Sequence, residues 1–283
     1  MFTFAFSWLL WIPGSIIGIG TIHYQDWVGG LRVIGTFAPT IAGFLLAYME
    51  EGSIGAYELF KRGWHWEKKS YMAIAIVLIP ILCLLSLGLA LITEGIVLAD
   101  VVNVSRWDIF IPYIFTVFFI GGPLQEEFGW RGYALDRLES KYNALSSSLI
   151  VGVLWSLWHL PSFFIPGTIQ HEQSFFAFFT SVLLISILFT WIYNNTGRSV
   201  LVAIVFHTSI NVSYWTIPIN NTFTGPIYYT LMLGIIVILI IFFYGSNELI
   251  RTKRPKKKKR RRKFYNTIIF IISYYLINSL ATP

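Results

Sequence analysis

The chain has 283 residues, 55% of them hydrophobic and only 12% charged, with a mean hydropathy of +0.65. Soluble domains carry about 25% charged residues, so this composition excludes one and predicts a polytopic membrane protein. The net charge of +7 is local: residues 251–263 hold 11 of the 21 Lys and Arg, leaving 10 basic against 14 acidic residues elsewhere, which excludes a general basic surface for nucleic acid.

Apolar runs long enough to cross a bilayer predict an all-α transmembrane bundle of about eight spans, near 3–20, 31–49, 70–92, 108–124, 145–165, 174–194, 199–218 and 226–244. The runs are continuous rather than alternating, which argues for helices over a closed barrel. The first run lacks a basic leader and a small-residue cleavage site and reads as a retained helix. Segment 52–69 sets Trp64 and Trp66 beside Lys61, Arg62, Lys68 and Lys69, the composition of an interfacial helix or loop. The only cysteine, Cys83, lies in an apolar run, so an intrachain disulfide is excluded.

The basic clusters around 61–69, 131–141 and 198, and the block after the eighth span, fall on one side if the N-terminus is cytoplasmic; Arg32 and Arg106 are minor exceptions. The chain divides into N-terminal spans with the interfacial segment (1–104), a core with an intramembrane polar cavity (105–245), and a polybasic tail with an apolar segment (246–283). The run Lys253–Lys263 can bind anionic lipid at about 1 kcal/mol per charge, or simply enforce topology. Residues 264–282 fit a ninth span, a surface helix or an appendage equally well.

Three polar constellations interrupt the apolar core. Gly121-Gly122-Pro123 breaks the fourth span, and Pro123 suits the first turn of a resumed helix carrying Glu126, Glu127 and Arg131. Charges at bilayer depth cost on the order of 3 kcal/mol each and mark functional sites. Glu127 and Arg131 stand four apart, the spacing of an ion pair, and Glu126 is rotated by about 100° to face elsewhere. His159 lies inside the fifth span, four residues after Trp155, and His207 and Asn211 share a face of the seventh. Each constellation taken singly has a bland reading: a solvated interfacial pair, a structural histidine, an interhelical hydrogen bond. Together they place two carboxylates, two imidazoles and an amide at comparable depth, while the other spans are nearly free of ionisable residues. His23, Asp26, His65, His171 and Glu172 read as surface residues, and no Gly-rich phosphate loop, H-E-x-x-H or G-x-S-x-G is present.

The order Glu126-Glu127-x-x-x-Arg131, Trp155-x-x-x-His159, His207-x-x-x-Asn211 resembles the CAAX-protease and bacteriocin-processing (CPBP) family of intramembrane peptidases, which includes the type II CAAX prenyl endopeptidases. The likeness covers about residues 105–215; Trp155 stands where Phe is usual, and the polybasic extension is outside the pattern. The resemblance implies a multi-pass enzyme of the cell membrane, from a bacterial source, with a cavity open toward the cytoplasm and lipid. It makes Glu126 the base for a water assisted by His159, makes His207 and Asn211 the oxyanion pair, and leaves Glu127 and Arg131 as support. The implied substrate is a membrane peptide or lipidated protein. A zinc version would ligate Glu126, His159 and His207. The metal-free version is favoured, because after ligation only Glu127, engaged by Arg131, would remain as base; no cofactor is therefore expected, with Zn²⁺ as the alternative. A non-catalytic immunity or scaffold protein, and a proton-coupled transporter relaying through Glu126 and His159, are the rival readings.

Overall fold

A computed structural model describes residues 1–17, 25–101 and 110–250. Among them every regular element is helical: α1 (Phe2–Ile17), α2 (Gln25–Thr36), α3 (Ala38–Lys61), α4 (Lys69–Glu94), α5 (Leu98–Val101), α6 (Phe110–Ile120), α7 (Pro123–Glu127), a π-helical stretch (Phe128–Leu135), α8 (Asp136–Glu139), α9 (Ala144–Trp158), α10 (Phe175–Asn195), α11 (Val200–Thr216) and α12 (Gly225–Tyr244), with short 3₁₀ turns at Leu160–Phe164 and Ile219–Asn221. Arg106, His23, the polybasic tail and the possible ninth span lie outside the described residues.

The chain is an all-α polytopic bundle. Among the described residues, six helical segments are long and apolar enough to cross a membrane: 29–61, 69–94, 144–164, 175–195, 200–221 and 225–244. The count of about eight holds as an approximation, with α1 and α6 as the other two expected spans. The described part of α1 has 16 residues, and that of α6 has 11 and stops where Gly121 and Gly122 break it. The run 31–49 lies within the 29–61 segment and is made of two helices. It belongs to α2 and α3, with Phe37 between them and Pro39 in the first turn of α3. Helix α3 then runs on to Lys61 through a sharp bend at Gly52, whose φ of 65° and ψ of −155° are open to glycine and few other residues.

Local chemistry sets the helix starts around the core. Asn143 accepts the Ser146 N–H at 2.7 Å to begin α9, and Ser199 accepts the Val202 N–H at 3.1 Å to begin α11. Helix α10 is buried along most of its second half, and Phe189, Ile192 and Tyr193 are fully enclosed. Helices α4 and α12 instead expose Ile81, Leu84, Ile235, Ile238 and Phe242, an apolar surface suited to lipid.

Two cations from separate loops meet at one end. Arg62 donates to Asp136 at 2.6 Å and to the Tyr193 hydroxyl at 2.8 Å, while Arg198 reaches both Asp136 and Glu139. Burial works against the Arg62 guanidinium, but Tyr193 and Asp136 hold it above its ordinary pKa. The segment after α12 closes the same end: the N–H groups of Ala144 and Leu145 donate to the carbonyls of Asn247 and Ser246.

Candidate active site

The break between α6 and α7 positions the first carboxylates. Gly122 adopts φ 109°, a conformation L side chains rarely take, and donates its N–H to Gln125 Oε1 at 2.7 Å. Gln125 in turn donates to the Val33 carbonyl at 3.2 Å, tying α7 to α2. From α7 the chain continues as the π-helical stretch, a distortion frequent at functional sites. It packs closely on α3: a Cβ at Gly129 would collide with the Pro39 carbonyl, so only glycine allows this approach.

Glu126 and Glu127 are both buried, at 3% and 0% exposure, and face different partners. Glu126 Oε2 accepts the Trp155 Nε1–H at 2.7 Å. Glu127 accepts Arg131 Nη1–H at 2.9 and 3.1 Å on its two oxygens, the pairing that the i,i+4 spacing predicts. It does more than neutralise Arg131. Its Oε1 also lies 2.7 Å from His207 Nδ1, and since a carboxylate can only accept, that ring nitrogen donates. The Arg131 guanidinium sits 3.6 Å from the Phe189 ring centroid and 4.4 Å from that of Trp155, so the cation rests against both of these rings, which pack edge to face on each other.

The second and third motifs complete the arrangement. His159 caps the end of α9, just before the turn containing Pro161. Its Nδ1 is 2.9 Å from the Trp155 carbonyl, which fixes the proton on Nδ1 and leaves the Nε2 lone pair open. Asn211, one turn beyond His207 on α11, donates from Nδ2 to the Gly121 carbonyl at 3.0 Å. Trp155 stands between the histidines, its ring centroid 5.9 Å from that of His159 and 5.3 Å from that of His207.

Glu126, His159, His207 and Asn211 all line one cavity of about 530 Å³, together with Arg32, Thr36, Tyr113, Gly122, Gln170, Gln173 and Tyr214 among others. Four residues from three separate motifs therefore share one hollow. Glu127 and Arg131 are not in its wall and sit behind it. His65 is exposed and paired with Glu67 at 3.2 Å, and Glu172 is exposed; neither lines the cavity.

Glu126, His159 and His207 share the cavity, yet among the described residues no three His, Cys, Asp or Glu side chains converge as a metal-binding group.

Residues 108–213 match the family model described as type II CAAX prenyl endopeptidase Rce1-like. This chain resembles the type II CAAX prenyl endopeptidases. The Rce1-like segment contains Glu126, Glu127, Arg131, His159, His207 and Asn211. CAAX prenyl protease 2 of Methanococcus maripaludis is 28% identical over 228 residues, covering 75% of this chain and 80% of that protein. Lysostaphin resistance protein A of Staphylococcus haemolyticus is 30% identical over 109 residues, covering 38% of this chain and 27% of that protein.

Motif reading alone passed over two parts of the site. Trp155 entered only as the aromatic preceding His159, although its spacing of four puts both on one face of α9 and its indole N–H is a donor. Gly122 entered only as a helix break; what it supplies is room, since a Cβ there would lie 2.7 Å from Glu126 Oε1.

Proposed function

We propose that this chain is an intramembrane endopeptidase of the CAAX type, hydrolysing a peptide bond in a membrane-associated or lipid-anchored peptide. The observation that carries the reading is the shared cavity: a buried carboxylate, two imidazoles and an amide from α7, the end of α9 and α11 face one hollow inside a lipid-facing bundle. Water-splitting chemistry there suits a substrate that the bilayer itself concentrates.

Glu126 is the base. The Trp155 indole holds Oε2, which leaves Oε1 to take a proton from a water in the cavity. His159 presents Nε2 as a second acceptor and orients that water. Attack on the scissile carbonyl builds negative charge on its oxygen. Asn211 has a second amide proton for that oxygen, its first being engaged by Gly121. His207 contributes Nε2–H when it holds its second proton, and the Glu127 carboxylate at Nδ1 compensates the charge. The base then returns its proton to the departing amine. No metal is required by this route.

The same reading orients the protein with its N-terminus and basic end in the cytoplasm, because Lys and Arg concentrate on the cytoplasmic side of membrane proteins. Comparison of the membrane peptidome of cells carrying the wild type with that of cells carrying Glu126→Gln tests the activity and names the substrate. Peptides lost with Glu126→Gln, at unchanged protein level, are the expected result. An identical peptidome overturns the assignment and favours a non-catalytic immunity or scaffold role.

A further inference from the structure

Arg32 carries the unanswered charge of the cavity. In the sequence it stands apart from the basic clusters, and in the fold its side chain is half-buried in the cavity wall. Among the described residues no carboxylate, hydroxyl or carbonyl meets its guanidinium. Arg131, behind the wall, has Glu127 and two aromatic rings instead. Among the described residues that line the hollow, Arg32 is the one Lys or Arg and Glu126 the one Asp or Glu, and no ion pair joins them. Glu126 is held by Trp155. An unpaired cation within an apolar bundle is costly, and such groups mark the path of a ligand.

The turn that carries Arg32 is fixed relative to the catalytic groups. Gly29, Arg32, Val33 and Thr36 follow the spacing of one helix face, and all four line the cavity. On one side the Val33 carbonyl accepts Gln125 Nε2–H at 3.2 Å, and Gln125 immediately precedes Glu126. On the other side the Arg32 carbonyl accepts the Trp11 Nε1–H at 3.1 Å. The Gly35 carbonyl accepts the Ser7 hydroxyl at 2.8 Å, and that hydroxyl accepts the Trp158 Nε1–H, also at 2.8 Å. Trp158 immediately precedes His159, with ring centroids 4.8 Å apart. This part of α2 is therefore braced through the chain neighbours of both Glu126 and His159. A guanidinium mounted on it keeps a set place relative to the bond being cut.

The rest of the wall narrows what can answer that charge. Val117, Ile120, Val182 and Ile210 are apolar, and the amides of Gln170 and Gln173 can meet a neutral peptide backbone. Arg32 calls for an anion. A hollow of about 530 Å³ has the size of a small-ligand site, so it encloses a few residues of peptide rather than a long chain. A chain end that enters it brings one carboxylate whatever its side chains are. The planar guanidinium matches a carboxylate through two parallel hydrogen bonds. We propose that Arg32 is a specificity-determining residue that binds the free C-terminal carboxylate of the substrate, and so sets which peptide bond reaches Glu126. An Asp or Glu side chain of the peptide is the other source of the same group. The inference rests on the peptidase reading for the bond that is cut, whereas its binding half rests on the cavity.

Mixed-sequence peptides with an N-terminal palmitoyl chain, each made as the free acid and as the C-terminal amide, test it with the full chain in detergent. The wild type should cleave the acids with a kcat/KM roughly 10- to 100-fold above that of the amides, the discrimination that a hydrogen bond to a charged group supplies. Arg32→Gln should bring this ratio to about one through a higher KM for the acids. Arg32→Lys keeps the charge but not the fork and should restore part of it. A ratio that Arg32→Gln leaves unchanged overturns the proposal. So does an equal fall in kcat for both forms, which would make Arg32 a partner of the oxyanion. Acids and amides cleaved alike, and only with Asp or Glu at a fixed position, move the contact to a side chain and overturn the chain-end assignment. Arg32→Gln should also melt no lower than the wild type, since among the described residues nothing pairs with the guanidinium; a lower melting temperature overturns that unpaired state. Binding of the same peptides to Glu126→Gln protein, read by affinity selection and mass spectrometry, separates the two readings. Acids retained over amides there, and not once Arg32→Gln is added, support the carboxylate site even if the wild type cleaves nothing and the peptidase reading fails.

Discussion

Glu127 binds Arg131 and His207 at once: its Oε1 lies 2.9 Å from Arg131 Nη1 and 2.7 Å from His207 Nδ1. One buried carboxylate thus joins the π-helical stretch to α11 and orients a cavity-lining imidazole. Arg131 packs against both Trp155 and Phe189, so the same carboxylate also supports the aromatic partner of Glu126. Removing one member of a buried ion pair leaves its partner uncompensated, a loss of about 3–5 kcal/mol. Glu127→Ala is expected to lower thermal stability in detergent by that order and to abolish cleavage together with it. A variant that melts like the wild type would show that Arg131 and His207 do not depend on this carboxylate.

Trp155→Phe separates the indole hydrogen bond from the ring. Phe keeps most of the aromatic packing beside Arg131 and His207 but cannot donate to Glu126 Oε2. A hydrogen bond to a charged group contributes about 1.5–3 kcal/mol, so kcat should fall by roughly 10- to 100-fold with KM little changed. Steady-state cleavage of the peptide identified by peptidomics is the measurement, and a kcat equal to that of the wild type would remove Trp155 from the mechanism.

Gly122→Ala acts on geometry alone. The backbone there has φ 109°, and the added Cβ would lie 2.7 Å from Glu126 Oε1. Strain of about 1–3 kcal/mol and a displaced carboxylate follow. The expected outcome is a folded protein of reduced melting temperature whose cleavage is lost, read by thermal unfolding and peptide cleavage on the same sample.

Asp136→Ala tests the basic end separately from the site. Asp136 accepts from both Arg62 and Arg198, and charged hydrogen bonds of this kind contribute about 1.5–3 kcal/mol each. Stability in detergent should drop while kcat per folded molecule stays at the wild-type level. A selective loss of kcat would instead connect this cluster to the chemistry.

Chelation addresses the metal question directly. Prolonged treatment with a strong chelator should leave cleavage intact, and elemental analysis of purified active protein should find no stoichiometric Zn²⁺. Activity lost on chelation and restored by Zn²⁺ would make Glu126, His159 and His207 the ligands of a zinc-dependent peptidase.

The sequence by itself determined what is local. Long apolar runs dictate membrane-spanning helices, and the spacing of four within each motif fixes which side chains share a face: Glu127 with Arg131, Trp155 with His159, His207 with Asn211. It left the helix limits open. The bend at Gly52, the end of α6 at Gly121 and the division of 31–49 between two helices depend on packing rather than hydropathy. Only the tertiary structure decided the contacts between motifs. Glu127 meets His207 across 80 residues of chain, and Trp155 reaches Glu126 across 29. Helical periodicity says which residues align along one helix, but not which face turns inward or at what depth a neighbour crosses. Those are set where backbones approach closely, as at Gly129 against Pro39, and by buried charges that must find partners in a medium without water.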